Sequence, residues 1–233
     1  MPGLTPEEWE AIRLSLRVSL SGVAASLPLG VAVAMLLARA RFPGKSVFDA
    51  VVHLPLVLPP VVVGYFLLLV LGRKGPIGGW LESAFGVVVA FRWTGAAIAA
   101  AVMGFPLMVR AMRLSIEAID TRIESAAATL GANPAWVFAT VTLPLMLPGI
   151  VTGALLSFAR SLGEFGATIT FVSNIPGETR TLPIAIYTYT QVPGGDLQAL
   201  RLSFIAVVLS LGALLASELL VRRATARAAG RDA

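Results

Sequence analysis

Residues 124–150 read ESAAATLGANPAWVFATVTLPLMLPGI. The first half is a run of small helix formers ending in glycine, and the second slides into an apolar, proline-studded segment, with one charged side chain in the whole stretch. From Ser115 to Leu130 the residues Ile116, Ile119, Ile123, Ala127 and Leu130 recur at spacings of three and four, which predicts one apolar stripe on one helix. Glu117, Asp120 and Glu124 fall beside that stripe. Ala126, Ala127 and Ala128 leave little bulk near the helix end, and Gly131 can take the left-handed conformation that stops it. Asn133 suits an N-cap and Pro134 a first helical position, so a second helix is expected at once. The expectation is a bent helix pair between two apolar blocks. A loop of this kind ordinarily rests on the bilayer as an amphipathic helix, but an acidic flank gains nothing from an anionic leaflet. A small, capped helix is better suited to entering a cleft on a soluble partner.

The rest of the chain explains why the pair sits between apolar blocks. Of 233 residues, 57% are hydrophobic and 13% charged, against about 25% charged in a soluble domain. The apolar residues come in unalternating blocks, so the expected fold is an all-α membrane bundle forming a single domain, 1–233, with the cytoplasmic helix pair at 115–144 inside it. Crossing about 30 Å of hydrocarbon takes about 20 helical residues. Five runs approach that length: Val18–Ala38, Ala50–Gly72, Trp93–Val109, Leu145 to about Phe171, and Leu202–Ser217 with its flanks. Thr181–Gly195 is short and rich in Thr and Tyr, and reads as an external or re-entrant helix, with a sixth span as the rival. The N-terminus is acidic and has no basic region before the first block, so that block is expected to remain as a span.

Five spans place the termini on opposite sides. With the C-terminus inside, ten Lys and Arg residues face the cytoplasm, including the tail Arg222, Arg223, Arg227 and Arg231, against seven outside. The expected topology is therefore N-terminus out and C-terminus in, across the cytoplasmic membrane. Basic residues lie at block ends and not in one stripe, which excludes nucleic acid as a partner class. There are no cysteines, and the single histidine, His53, has no cluster of carboxylates around it, so neither a disulfide nor a metal site is expected. No G-x-x-x-x-G-K-[ST] phosphate loop occurs, so any ATP-driven work must draw on another chain.

The quoted stretch also resembles a family motif. Permease subunits of ATP-binding-cassette (ABC) importers carry E-A-A, three residues, G, nine residues, then I-x-L-P. Here Ala126 and Ala127 supply the alanine pair, Ser125 stands at the Glu position with Glu124 one earlier, and nine residues separate Gly131 from Val141-Thr142-Leu143-Pro144. Three further stretches, FPGKSVFDAVVHLPLVLPPVVVGY (42–65), FPLMVRAMR (105–113) and FARSLGEFGATITFVSNIPGETRTLP (158–183), are similar to the molybdate-type branch. The core 163–166, GEFG, is similar to the wider oxyanion group, which includes sulfate permeases. The resemblance implies the type I ABC importer permease fold and a homodimer. It also implies an ABC ATPase partner holding ATP-Mg, an extracytoplasmic oxyanion-binding protein, and no cofactor on this chain. It assigns ATPase coupling to Glu124, Ala126, Ala127, Gly131 and Pro144. Molybdate is the expected cargo, with sulfate or tungstate, or a secondary transporter needing no ATPase, as alternatives.

Two features could carry the cargo. Arg160 and Glu164 stand one helical turn apart on the fourth span, either drawing an oxyanion through or forming a packing ion pair. Pro59 and Pro60 interrupt the second span, with Pro55 and Gly64 nearby, so a kink or break there either lines the path or merely packs. Gly177, Thr179 and Arg180 form either an outer surface for an anion or delivery protein, or an ordinary loop.

Overall fold

The computed structural model describes residues 3–229; Arg231, and the side chains of Ala128, Arg222, Arg223 and Arg227, lie outside that description. Eleven α-helices follow one another, with no strand among the described residues. Helix α1 (Pro6–Arg39) opens on a reciprocal cap: the Glu8 amide donates to Thr5 Oγ1 at 3.3 Å and the Thr5 amide to Glu8 Oε2 at 2.7 Å. Helices α2 (Lys45–Val57) and α3 (Pro60–Leu71) meet at a 113° bend, and α4 (Pro76–Phe85) leads to the central helix α5 (Trp93–Glu117). Then come α6 (Thr121–Thr129), α7 (Pro134–Val137), a π-helical turn (Phe138–Thr142) and α8 (Leu143–Leu162). The short α9 (Gly166–Val172) and α10 (Leu182–Thr190) precede the long α11 (Asp196–Ala229).

Four unbroken helical segments are long and apolar enough to cross a membrane, and the bent α2–α3 pair makes a fifth unit. The protein is thus a multi-pass all-α membrane protein. At nine residues α10 is far too short to span, in keeping with an external or re-entrant helix.

Central α5 packs against α1 on one side and α8 on the other. Lipid tails are as apolar as leucine, so helices associate here through close packing and not through exclusion of water. Small residues permit the approach: a Cβ on Gly22 of α1 would lie 2.8 Å from the Ala97 carbonyl of α5, and one on Gly153 of α8 would lie 2.8 Å from the Met108 carbonyl. Methionines 103, 108, 112 and 146 fill the irregular spaces between, all buried. The outer faces keep large apolar side chains such as Phe204, Val207 and Leu211 exposed, as a bilayer requires.

Two sequence expectations are corrected. The stripe from Ile116 to Leu130 does not lie on one helix: α5 stops at Glu117, and a three-residue turn precedes α6. Asp120 Oδ1 accepts the Arg122 amide at 2.9 Å and starts the new helix, while Ile116 and Ile119 are drawn into the core and Ile123 and Leu130 remain exposed. The fourth span does not run to Phe171 either. It breaks after Leu162 and resumes as α9, because Glu164 turns to cap that second segment.

Candidate coupling corner and interrupted spans

The corner at Gly131 is built as its local chemistry dictates. Gly131 has φ +85°, the left-handed region that an L side chain resists. Asn133 Oδ1 accepts the Trp136 amide at 2.8 Å, and Pro134 follows as the first helical residue. Helix α7 is not a free second arm. With the π turn and α8 it forms one 29-residue rod, Pro134–Leu162, that begins at the corner and ends inside the bundle. Pro144 accounts for the π turn: it has no amide to donate to Thr140 and its ring crowds that carbonyl, so the helix widens and the Leu143 amide bonds Phe138 instead.

Around the corner large apolar side chains face outward among exposed Arg122, Ser125, Asn133 and Thr140. Leu130 is 89% exposed, and Trp136 and Ile123 are exposed beside it. Glu124, expected to serve coupling, faces the protein's own helices. Its Oε2 lies 3.1 Å from Arg39 Nη2, and its Oε1 accepts the Thr142 hydroxyl at 2.8 Å. Ser125, at the motif's Glu position, bonds back to the Thr121 carbonyl at 2.9 Å. Ala126 is exposed and Ala127 half-buried. Sequence reasoning missed Arg39 and Thr142; Arg39 was visible only as a topology marker.

The two interruptions meet. Pro59 caps α3 and Pro60 opens it, so the second span breaks where the prolines predict, whereas α2 runs on through Pro55. Arg160 lies in the last turn of α8, and Glu164 lies past its end and not on a continuous helix. The side chains still pair, Arg160 Nη1 to Glu164 Oε2 at 2.6 Å, while Glu164 Oε1 accepts the Ala167 amide at 2.8 Å. Helix α9 crosses α3 at backbone contact: a Cβ on Gly166 would sit 2.8 Å from Pro60 Cβ, and one on Gly64 would sit 2.5 Å from the Ala167 carbonyl. Pro59, Pro60 and Glu164 therefore flank one junction. Gly166, read in the sequence only as part of the GEFG core, is the residue that permits this crossing.

Elsewhere polar side chains tie helix ends together. An open cleft of about 510 Å³ between α2 and α5 is lined by Asp49, His53, Arg110, Arg113 and Glu117. Within it Arg113 bridges Asp49 at 2.9 Å and Glu117 at 2.7 Å. On the opposite end, fully buried Glu8 pairs with Arg201 at 2.7 Å, and the Leu182 amide donates to Ser15 Oγ at 2.6 Å. Burial first, and then the Glu7 charge, hold the Tyr189 phenol above its ordinary pKa, so it stays protonated and donates to Glu7 at 3.3 Å. Thr179 is not presented outward: it is buried, donates to the Ser173 carbonyl at 3.1 Å and accepts the Ile175 amide at 2.9 Å. Arg180 Nε donates to Asn174 Oδ1 at 2.8 Å.

Residues 26–226 match the family described as binding-protein-dependent transport system inner membrane component. The chain belongs to that family. It is 60% identical over 225 residues, 97% of this chain and 98% of the relative, to the molybdenum transport system permease protein ModB of Escherichia coli K12. It is 40% identical over 177 residues to the sulfate transport system permease protein CysW of Synechococcus elongatus, covering 76% of this chain and 62% of the relative. The fold matches a permease chain of a bacterial alginate ABC importer (TM-score 0.73, 18% identity, 94% of this chain and 80% of that one). It also matches one from the inward-facing MetNI methionine ABC transporter (TM-score 0.66, 17% identity, 93% and 94%). The type I importer permease fold and the resemblance drawn from the quoted motifs are both borne out.

Proposed function

We propose that this chain is the membrane-spanning permease subunit of an ATP-driven importer that carries molybdate into the cytoplasm. Two copies surround a central path, two ABC ATPase subunits holding ATP-Mg sit beneath, and an extracytoplasmic binding protein delivers the anion. The observation that carries this reading is the 60% identity to a molybdenum permease along 97% of the chain, including every stretch that forms the corner and the interrupted spans. The geometry supports it: an exposed apolar corner, Leu130 with Trp136, sits on a rod that enters the bundle, so closure of a partner at the corner is delivered into the spans. ATP must bind the two states of the assembly unequally to shift the balance between them. The N-terminus lies outside and the C-terminus inside, which puts the corner in the cytoplasm with its partner. A second reading, sulfate as cargo, draws on the 40% identity to a sulfate permease over a smaller part of the chain.

Reconstitution in proteoliposomes with and without the ATPase tests the proposal. Molybdate accumulation should require the ATPase, ATP and the binding protein, and should be competed by tungstate more strongly than by sulfate. Uptake by the permease alone would refute it, and sulfate outcompeting molybdate would favour the second reading.

A further inference from the structure

We infer that Glu124 acts as an internal brace joining α6 to α1 and to the α7–α8 rod, with Arg39 and Thr142 as its positioning partners, and that it is not the contact to the ATPase. The inference rests on the transport reading above and deepens it by separating the residues that receive force from those that distribute it.

Both carboxylate oxygens of Glu124 are engaged within the chain, one with Arg39 Nη2 at 3.1 Å and the other with the Thr142 hydroxyl at 2.8 Å. These contacts turn the carboxylate inward and leave it 21% exposed, and its neighbour Ser125 is turned back on its own helix. The large side chains left exposed at the corner are Ile123, Leu130 and Trp136, with Arg122 among them.

The brace supplies a link that the chain does not. Helix α6 is joined to α5 through the turn at 118–120 and to the rod through the corner at 130–133, so a push on α6 reaches α5 and α8 along the backbone. The third helix of the central bundle, α1, is joined to α6 only by the long way through α2–α5. Yet α1 packs along α5 as closely as α8 does, through the small-residue contact of Gly22 on Ala97. Motion of α5 and α8 alone would shear that contact, and packed interfaces respond as two-state elements, not by gradual deformation. Arg39 is the last residue of α1, so the Arg39–Glu124 pair grips α1 at the end nearest α6. Thr142 is buried at the junction of π turn and α8, so its hydroxyl fixes the same carboxylate to the rod. The three helices thereby move as one body. The pair is about a quarter exposed on each side, 26% and 21%, so its contribution to folding is small while its geometric role remains.

The test uses the permease–ATPase complex in proteoliposomes with the binding protein and molybdate, comparing Arg39→Gln, Glu124→Gln, Thr142→Val and the swap Arg39→Glu with Glu124→Arg. The brace predicts that all variants retain the ATPase through purification. ATP hydrolysed per molybdate imported should rise at least about fivefold in both glutamine variants, the lower end of ordinary coupling energies. It should rise less in Thr142→Val and return to within about twofold of wild type in the swap. Loss of the ATPase in Glu124→Gln but not in Arg39→Gln would overturn the inference by making Glu124 an intersubunit contact. An unchanged ratio in either glutamine variant would overturn it too. Failure of the transport reading shows separately, as molybdate uptake by wild type with no ATPase present.

Discussion

Truncating Glu164 should remove the protein before it removes transport. The Glu164 side chain is 1% exposed and fills two roles: counter-ion to Arg160 at 2.6 Å and acceptor for the Ala167 amide that begins α9 at 2.8 Å. Loss of a helix-start acceptor costs about 0.5–2 kcal/mol, and loss of a hydrogen bond to a charged group about 1.5–3 kcal/mol. Arg160 keeps 28% exposure and can turn towards water, so its stranded charge adds less than a fully buried one would. Glu164→Ala is therefore expected to cost about 2–5 kcal/mol. For a chain of this length that is a fall of about 4–20 °C in Tm. Glu164→Gln keeps an oxygen for the Ala167 amide and should cost about 1–2 kcal/mol. Arg160→Ala should fall between, because Glu164 keeps its bond to the Ala167 amide. Membrane abundance and thermal unfolding of the purified chain, each set beside uptake per molecule, give the ordering. Glu164→Ala at wild-type abundance and Tm but without uptake would refute the reasoning and assign the pair to the anion.

Four further outcomes follow from single substitutions. Gly131→Val should cost about 1–2 kcal/mol at the corner because φ is +85°, and should weaken ATPase retention in pull-down, whereas Gly131→Asn should be milder because asparagine tolerates that region. Gly64→Ala places a Cβ 2.5 Å from the Ala167 carbonyl and should destabilise by about 1–3 kcal/mol in thermal unfolding. Gly212→Ala on α11 meets nothing within 4 Å and should be neutral or stabilise by about 0.5–1 kcal/mol. Because the chain has no cysteine, Ser125→Cys should react with an impermeant maleimide only after cell lysis and Gln191→Cys in intact cells, and the reverse pattern would invert the topology.

What the sequence made legible was local chemistry. Gly131, Asn133 and Pro134 act within three or four residues of themselves, so their cap and helix start could be read without knowing the fold. The break at Pro59–Pro60 was legible for the same reason. The break at 163–165 was not, since no proline marks it and apolar residues continue to Phe171; it is fixed by Glu164 choosing the Ala167 amide and by α9 lying on α3. The apolar period from Ile116 to Leu130 misled because it continues across the turn, its first two members serving the core and Ile123 and Leu130 the surface. Arg39 with Glu124 and Glu8 with Arg201 were invisible for a different reason: their partners are 85 and 193 residues away in sequence.

The placement of these pairs bears on how the molecule moves. In three of the ion pairs, Glu164 with Arg160, Glu124 with Arg39 and Glu8 with Arg201, at least one partner lies in the first or last turn of a helix or just beyond it, whereas Arg113 and Asp49 join α5 to α2 a little further in. The 29-residue rod from Pro134 to Leu162 connects two of them, since Thr142 meets Glu124 near its start and Arg160 meets Glu164 at its end. At 1.5 Å per residue the rod is roughly 43 Å long. A lever of that length, held by the Thr142 hydroxyl near its start and by the Arg160 charge at its end and in small-residue contact with α5 between them, would carry a displacement at Gly131 to the place where α9 lies on α3. There Pro60 touches Gly166, so the second and fourth spans are moved together at their breaks, where each is least stiff. Intact helices resist bending along their length, so under the proposed transport cycle this junction is where a change of access between the two sides of the membrane would cost least.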